Sequence, residues 1–398
     1  MPLYKSLSAV ALVTACASLI ACKAGYNHIY ENSDPDDDAV VRCSGSPITS
    51  DPTEKTLALY DAISDLSCII DDDEEAFYIV GQSVGNGDEI VSDDSFRNYA
   101  TLIGSLDRRI AIASVDYEKS QRYSESELKD ANDKLIEHAG DGGIVSITWT
   151  PLNPWTADNN DIDDKLAWSN NTDLPELYNA PEEGEESKAY QDFDSQITLV
   201  VEMLAELANQ NVPVLFAPFP EMNTSAVWYG AQTNADADNT NTEVKFKALW
   251  DRLASAIEAQ DLKNILWVYA PSTGIASNRV TATWGYPGSS NTDIVAPVAY
   301  TDEVSISDYS TYVDMNKPLG MTRLAPRPLG DGNFDNRNYI TQLDASYPAI
   351  AYWIAEHDDR ESNDLRSIAS NEFANELLRD KRTATIETIK NEEWLKLD

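Results

Sequence analysis

Short apolar runs alternate with amphipathic stretches along most of the chain. From residue 77 onward, eight β-rich runs recur, and the segments between them place apolar residues at three- and four-residue intervals. Runs of this length are typical of buried strands, and the intervals are typical of helices with one buried face. The predicted strands are Phe77–Val84, Arg109–Tyr117, Gly143–Leu152, Pro213–Asn223, Ile265–Ser272, Asp293–Tyr300, Pro318–Leu324 and Ala349–Asp358. The predicted helices include Glu125–His138, Tyr190–Gln210, Glu243–Gln260 and Asp335–Ser346.

Eight strands that alternate with helices predict a single (β/α)8 TIM barrel, which we assign to residues 53–398. A doubly wound open sheet would also alternate, but it has no reason to stop at eight strands. In such barrels, binding and catalytic side chains lie where strands end and loops begin. The polar and aromatic residues at the predicted strand ends include Gln82, Asp116, Trp149, Thr150, Glu221, Asn223, Tyr300, Arg323, Glu356 and His357.

The first 22 residues have the features of an export signal. One lysine precedes an apolar run that is too short to span a bilayer, and small residues lead to a cysteine. The stretch Leu19-Ile20-Ala21-Cys22 resembles the lipobox of bacterial lipoproteins, which implies lipidation of Cys22 and a membrane anchor. Lys23 follows, and the absence of aspartate there resembles lipoproteins sent to the outer membrane of a Gram-negative cell. An ordinary secretory signal is the alternative.

Residues 23–52 form a predicted acidic tether, because they are rich in aspartate and lack long apolar periodicity. Export would place Cys43 and Cys68 in an oxidising compartment, where a disulfide between them can persist. Two unpaired thiols are the alternative for this pair.

The charge of the chain and its few histidines and cysteines limit the partners and ligands that we expect. The chain has 68 acidic and 29 basic residues, for a formal charge of −39, so its field repels nucleic acids. With three histidines and four cysteines, a transition-metal cluster is hard to assemble, and we expect no metal and no cofactor. The acidic loops at Asp158–Asp164 and Asn234–Asp238 lack the glycine and terminal glutamate of an EF-hand and are expected to be solvated.

One stretch connects the predicted barrel with a known family. The stretch Pro213–Asn223, which contains Glu221, resembles the fourth-strand motif of glycoside hydrolase family 26, as does the Trp228-Tyr229-Gly230 that follows it. This family consists mainly of retaining β-mannanases. Stretches similar to its fifth strand, its sixth strand and the approach to its nucleophile are Asn264–Pro271, Asp293–Tyr300 and Asn316–Thr322. The resemblance runs from about Gly81 to Asp380. It implies a β-linked polysaccharide partner, and it implies that Glu221 matches the catalytic acid/base.

The matching nucleophile position holds a cation. Retaining glycosidases need two carboxyl groups about 5–5.5 Å apart. In the family, the nucleophilic glutamate directly follows the threonine matched here, whereas this chain has Arg323 at that position. A guanidinium has no lone pair to donate and stays protonated. Pro220, Ala217 and Thr150 also replace residues usual in the family, and Glu356 stands where a tryptophan is usual. We therefore expect mannanase activity to be absent or very weak.

Three interpretations of the function follow. In the first, an impaired barrel binds β-linked polysaccharide through Asn223 and aromatic side chains, for which core packing is the alternative. The aromatic candidates are Trp149, Trp155, Trp228, Tyr229, Trp284 and Tyr300. In the second, Glu356 or Asp116 supplies a relocated carboxylate opposite Glu221, whereas a simple ion pair between Glu221 and Arg323 is the alternative. In the third, the barrel is a non-enzymatic surface scaffold.

Overall fold

The computed structural model describes most of the chain from Val40 onward. The described residues are 40–41, 43, 45–70, 77–86, 108–117, 124–156, 173–182, 184–232, 239–273, 279–300, 304–325, 331–358 and 364–392. The predicted signal with Cys22, the start of the predicted tether and the acidic loops at 158–164 and 234–238 lie outside them. Within the described ranges, no helix combines the length and the apolar character that crossing a membrane requires.

Eight parallel strands close into a barrel, which confirms the predicted fold. In chain order, the strands are β1 (Val40–Val41), β2 (Ile69–Ile70), β3 (Tyr78–Asn86), β4 (Ile112–Tyr117), β5 (Ile144–Trp149), β6 (Val214–Pro218), β7 (Ile265–Tyr269), β8 (Ser272–Thr273), β9 (Ile294–Val295), β10 (Val298–Tyr300), β11 (Leu319–Ala325), β12 (Ile350–Ala355) and β13 (Thr383–Ala384). The barrel runs from β3 through β7, then β9 with β10, β11 and β12. It closes where β12 pairs with β3, in a register that sets Tyr352 beside Ile79.

The sixth barrel strand is divided into β9 and β10. Pro297 lies at the division and has no N–H to donate to a neighbouring strand. Its carbonyl oxygen instead accepts a hydrogen bond of 3.1 Å from the Thr322 amide. Beyond the division, β10 pairs with β11 in a register that places Val298 beside Arg323 and Tyr300 beside Ala325. The division therefore brings Tyr300 to the carboxyl end of the barrel, close to Arg323.

Helices surround the barrel. They are α1 (Glu54–Cys68), α2 (Glu125–Gly140), α3 (Leu174–Tyr178), α4 (Lys188–Asn209), α5 (Asn239–Ala259), α6 (Tyr309–Val313), α7 (Arg337–Ser346), α8 (Ala374–Arg379) and α9 (Ile386–Glu392). The four helices that the periodicity predicts are present as α2, α4, α5 and α7. Helix α2 begins at a capping box in which Ser124 and Glu127 each bond to the backbone of the other.

Helix α1 closes the amino end of the barrel, a role that the sequence analysis did not predict. Leu59, Tyr60 and Ile63 are buried against the inward-facing residues of the strands. At the end of the helix, the Ser67 hydroxyl donates to the Ala349 carbonyl at 2.7 Å and accepts from the Leu319 amide at 2.6 Å. These bonds tie α1 to the chain at the beginning of β11 and β12.

The segment before α1 also lies across the amino end of the barrel. The Ile48 amide donates to Asp293 at 2.7 Å, and the Thr49 hydroxyl donates to the Ile265 carbonyl at 2.9 Å. A disulfide joins Cys43 to Cys68. Residues 48 and 49, which the prediction places in the tether, are therefore bonded to the barrel. Composition did not reveal this, since backbone hydrogen bonds leave little trace in the sequence.

Replacing Cys43 by serine is expected to lower the free energy of unfolding. The disulfide joins residues 25 positions apart, and closing a loop of this size is worth about 3 kcal/mol in the chain-entropy model. Urea unfolding of the oxidised protein and of the variant measures the difference. Reductant should destabilise the unmodified protein and leave the variant unchanged. Equal unfolding midpoints for the two oxidised proteins would contradict the prediction.

The buried carboxyl of Asp293 is expected to make stability depend on pH. Burial raises the pKa of Asp293 to about 6, although the amides of Ile48 and Trp267 and the charge of Lys317 act to lower it. Because the folded state holds this proton more tightly than the unfolded state, the contribution of Asp293 to stability falls as pH rises from about 4 to about 6. The stability advantage of the unmodified protein over an Asp293→Asn variant should therefore shrink across this window.

Urea unfolding of the two proteins at several pH values tests this trend. The comparison control is Asp335→Asn, because hydrogen bonds from Arg337 lower the pKa of Asp335. A lowered pKa contributes stability that is lost as the pH falls, so this control should show the opposite trend. A constant difference between the unmodified protein and the Asp293 variant would refute the assignment.

Candidate functional site

A strained turn presents Glu221 at the carboxyl end of β6. Phe219 and Glu221, on either side of Pro220, have φ angles of 52° and 58°. Residues other than glycine seldom adopt such left-handed backbone angles, and they persist where the surroundings fix them. The Phe219 amide donates to the Trp149 carbonyl at 2.9 Å, and the Glu221 amide donates to the Ala270 carbonyl at 2.8 Å. The turn is thereby tied to the neighbouring strands on both sides, with Glu221 partly exposed.

Asn223 and Tyr229 hold the same turn. The Asn223 side-chain amide donates to the Ser272 carbonyl at 2.9 Å, and its oxygen accepts from the Ser272 amide at 2.7 Å. The Tyr229 hydroxyl donates to the Pro220 carbonyl at 2.9 Å. Asn223 is fully buried. The prediction that Asn223 contacts substrate is therefore corrected to a bracing role, because its side chain bonds to the backbone.

Arg323 extends into the barrel interior from β11. Its Nη2 atom lies 2.6 Å from Asp116 Oδ1 and donates to the Thr148 hydroxyl at 3.0 Å. Its Nη1 atom donates to the Ser114 hydroxyl at 3.0 Å. The arginine is 3% exposed. A buried charge is tolerated when it is paired and hydrogen-bonded in this way.

Glu356 is the second anion beside Arg323. Its Oε1 atom lies 3.5 Å from Arg323 Nε and 2.6 Å from His357 Nδ1. Its Oε2 atom accepts a hydrogen bond of 2.7 Å from the Tyr300 hydroxyl. Burial disfavours the charge of Arg323, yet Asp116 and Glu356 together raise the pKa of Arg323 above its usual value. The guanidinium therefore stays protonated in the structure.

These contacts bear on two interpretations from the sequence: an ion pair between Glu221 and Arg323, and a relocated carboxylate at Glu356 or Asp116. The ion pairs of Arg323 are with Asp116 and Glu356, so the expected ion pair with Glu221 is wrong. Both residues considered as relocated carboxylates are therefore engaged by the arginine. Sequence reasoning missed Ser114 and Thr148, although inward-facing polar residues on neighbouring strands would have indicated them.

Tyr300 interacts with two carboxylates of the site, those of Glu356 and Glu221. Burial raises the pKa of Tyr300 well above its ordinary value, and the negative charges of Glu356 and Glu221 add to this effect. Both carboxylates therefore act on the same phenol. The tyrosine is nonetheless partly exposed, as expected of a side chain at the mouth of the barrel.

Most of the predicted sugar-stacking residues lie in the core. Trp149, Trp228 and Tyr229 are 0% exposed and Trp284 is 4% exposed. Trp149 packs against Phe219 with ring centroids 5.2 Å apart. Buried rings offer no face to a sugar, so for these four residues the structure favours core packing. Among the predicted aromatic residues, Tyr300 and Trp155 keep exposed area.

Trp155 is held in a fixed orientation. Its indole N–H donates to Glu176 at 2.9 Å, and its ring meets Trp228 edge-on at 5.8 Å between centroids. An aromatic ring fixed in this way keeps part of its surface available for stacking.

One group of side chains has the composition of a metal site. Ligand-type atoms of Asp116, Glu356 and His357 all lie within 4.8 Å of one another. The guanidinium of Arg323 forms ion pairs with both carboxylates of this group. The positive charge beside these carboxylates is thus the guanidinium of Arg323.

Comparisons with known proteins relate the barrel to polysaccharide hydrolases. A profile of the family described as Glycosyl hydrolase family 26 matches residues 74–381. Mannan endo-1,4-beta-mannosidase of Bacillus subtilis (strain 168) is 32% identical over 169 residues, which are 42% of this chain and 45% of that protein. Mannan endo-1,4-beta-mannosidase A and B of Caldalkalibacillus mannanilyticus is 29% identical over 229 residues, or 57% of this chain and 42% of that protein. The chain thus spans about half the length of these relatives.

Solved structures give the same fold. The crystal structure of the YdhT protein from Bacillus subtilis superposes with a TM-score of 0.71 at 24% identity, covering 86% of this chain and 95% of that one. The structure of GH26A from Muricauda sp. MAR_2010_75 superposes with a TM-score of 0.64 at 18% identity, covering 86% and 99%. At these identities, the superpositions show the barrel architecture alone.

Proposed function

Because this chain belongs to glycoside hydrolase family 26, we propose that it binds a β-linked polysaccharide of the mannan class and does not hydrolyse it by double displacement. The observation that carries the proposal is the position of Arg323. A buried guanidinium, paired with Asp116 and Glu356, stands where the resemblance places the nucleophile. It has no lone pair with which to attack an anomeric carbon.

The binding half of the proposal rests on what remains at the mouth of the barrel. Glu221 is partly exposed and is held by a turn with two left-handed residues. Backbone strain of this kind clusters at functional sites. Tyr300 and Trp155 add partly exposed aromatic surface, which can stack on sugar rings. A carboxylate with aromatic surface on the same end of a barrel is a typical combination for carbohydrate binding.

A second candidate function is hydrolysis with Glu356 as a relocated carboxylate. The hydrogen bond of 2.7 Å from Tyr300 to Glu356 favours it, because it connects Glu356 to the exposed mouth. Its burial counts against it, because a carboxylate that is 2% exposed and bonded at both oxygens has little access to substrate. Binding without hydrolysis is therefore the preferred conclusion.

Affinity electrophoresis and a reducing-sugar assay test both candidates. Gels that contain glucomannan, xylan or mixed-linkage β-glucan should show retardation in glucomannan, and the protein should release no reducing ends from it. Hydrolysis that disappears in a Glu356→Gln variant but persists in the exposed control Glu258→Gln would establish the second candidate. Lack of retardation with every polymer would refute binding and favour a non-enzymatic scaffold.

We further propose that the protein is an exported lipoprotein anchored through Cys22 at the bacterial outer membrane. The lipobox-like stretch supports this assignment, and the disulfide between Cys43 and Cys68 fits an oxidising compartment. Incorporation of labelled palmitate in a Gram-negative host tests it. The label should be absent from a Cys22→Ser variant and present in a Cys16→Ser variant.

A further inference from the structure

We infer that the mouth of the barrel selects polysaccharide in its relaxed conformation and gains no affinity from features of a glycosidase transition state. This inference rests on the proposed function and specifies the form of the ligand that is bound. It assigns Arg323 a specificity-determining role, because its guanidinium holds the carboxylates of Asp116 and Glu356. The structural basis is the buried guanidinium of Arg323, which is paired with Asp116 and Glu356 at the end of the barrel that also carries Glu221.

A glycosidase transition state carries positive charge on the sugar ring, because the glycosidic bond breaks before the new bond has formed. Enzymes that cleave glycosides place anions around that charge. Their affinity for transition-state analogues exceeds that for substrates by factors of about 10² to 10⁸. A site that lacks this anionic arrangement should bind a cationic ring analogue no better than the corresponding sugar.

The carboxylates on the Arg323 side are engaged with groups of the protein. Asp116 Oδ1 lies 2.6 Å from the arginine. In Glu356, Oε1 faces the arginine and His357, and Oε2 accepts from Tyr300. These contacts direct both anions toward neighbouring side chains and place a fixed positive charge beside them. A cationic sugar ring would have to compete with Arg323 for the same oxygens.

Glu221 is the residue that we expect to hydrogen-bond to the sugar. Its backbone is fixed by the bond from its amide to Ala270 at 2.8 Å, and by the Thr224 amide, which donates to the Glu221 carbonyl at 3.0 Å. A residue whose backbone is fixed in this way carries a carboxylate that can accept hydrogen bonds from the hydroxyls of a relaxed sugar. One wall of the mouth therefore recognises sugar hydroxyls, whereas the other does not stabilise developing positive charge.

Titration calorimetry with two probes tests the inference. The probes are methyl β-mannoside and a mannose-configured cationic iminosugar of the same size, with mannohexaose as the reference for polymer binding. We expect the two small probes to bind within about tenfold of each other, in contrast to the range of a working glycosidase. A preference for the iminosugar of about 100-fold or more would overturn the inference while leaving polymer binding intact. Failure of mannohexaose to bind would overturn the proposed function and, with it, the inference.

A charge-balanced double variant keeps the test independent of folding. Arg323→Met with Asp116→Asn removes one positive and one negative charge, so the net charge of the cluster is unchanged and Glu356 loses its counter-cation. The preference for the iminosugar should then rise by about tenfold or more. The matched control is Arg337→Met with Asp335→Asn, a surface pair with the same separation of 2.6 Å, which should leave the preference unchanged. An unchanged preference in the first double variant, with native circular dichroism, would contradict the role of Arg323.

Discussion

Replacing Arg323 by methionine is expected to lower the free energy of unfolding by about 3 to 5 kcal/mol. Methionine removes the cation but leaves Asp116 and Glu356 buried, at 3% and 2% exposure. Two carboxylates close together in the interior then lack their counter-charge, which is costly away from water. Urea unfolding of the unmodified protein and of the variant measures the loss.

The chain offers a matched control for this variant. Arg337 and Asp335 form an ion pair with the same distance of 2.6 Å, but their side chains are 52% and 29% exposed. Solvent screens exposed ion pairs strongly, so Arg337→Met should cost far less than Arg323→Met. Equal losses for the two variants would show that the buried network does not depend on Arg323 for its charge balance.

Restoring the family's glutamate by Arg323→Glu is expected to destabilise the protein more than the methionine variant does, by more than about 5 kcal/mol. The substitution places a third carboxylate beside Asp116 and Glu356, with no cation left in the network. Even where a fraction folds, we expect no hydrolysis of mannan, because the repelled carboxylates cannot keep the geometry that retention requires. Unfolding curves and a reducing-sugar assay on the same preparation measure both effects.

Successive neutralisation should recover the lost stability in steps. Adding Glu356→Gln to Arg323→Glu removes one negative charge, and adding Asp116→Asn removes a second, which returns the network to its original net charge. Stability is expected to increase in that order, since like charges in a low dielectric repel strongly. If Arg323→Glu alone is as stable as the unmodified protein, the network of Arg323, Asp116 and Glu356 does not determine stability at this end of the barrel.

Much of the fold could be predicted from the sequence, because each barrel strand is a local pattern. The eight β-rich runs correspond to the eight barrel strands, and the divided sixth strand still lies within one predicted run, Asp293–Tyr300. Helix α1 was missed, although Leu59 and Ile63 have helical spacing. Its role depends on contacts with strands far along the chain, such as the bond between Ser67 and Ala349, which local patterns do not contain.

The candidate site was predictable in position but not in contacts. Chain order alone placed Glu221 and Arg323 at the same end of the barrel. The partners of Arg323 lie on strands that are far away in the sequence, 175 positions for Thr148 and 209 for Ser114. Strand alternation places these side chains inside the barrel, but it does not show that they contact Arg323. Four of the six aromatic candidates are buried, for a different reason. Successive strand residues face opposite sides, so Thr148 points inward to Arg323 while Trp149 packs outward against Phe193 of α4.

The end of the barrel at which the chain enters and leaves determines where another segment can be attached. The segment with Ile48 crosses the amino end of the strands, and β13 pairs with the first residues of β3, Tyr78 and Ile79. Both approaches are thus made at the pole opposite Glu221. An attachment made through the segment before Ile48 or through the residues around β13 would therefore reach the barrel at the end opposite Glu221.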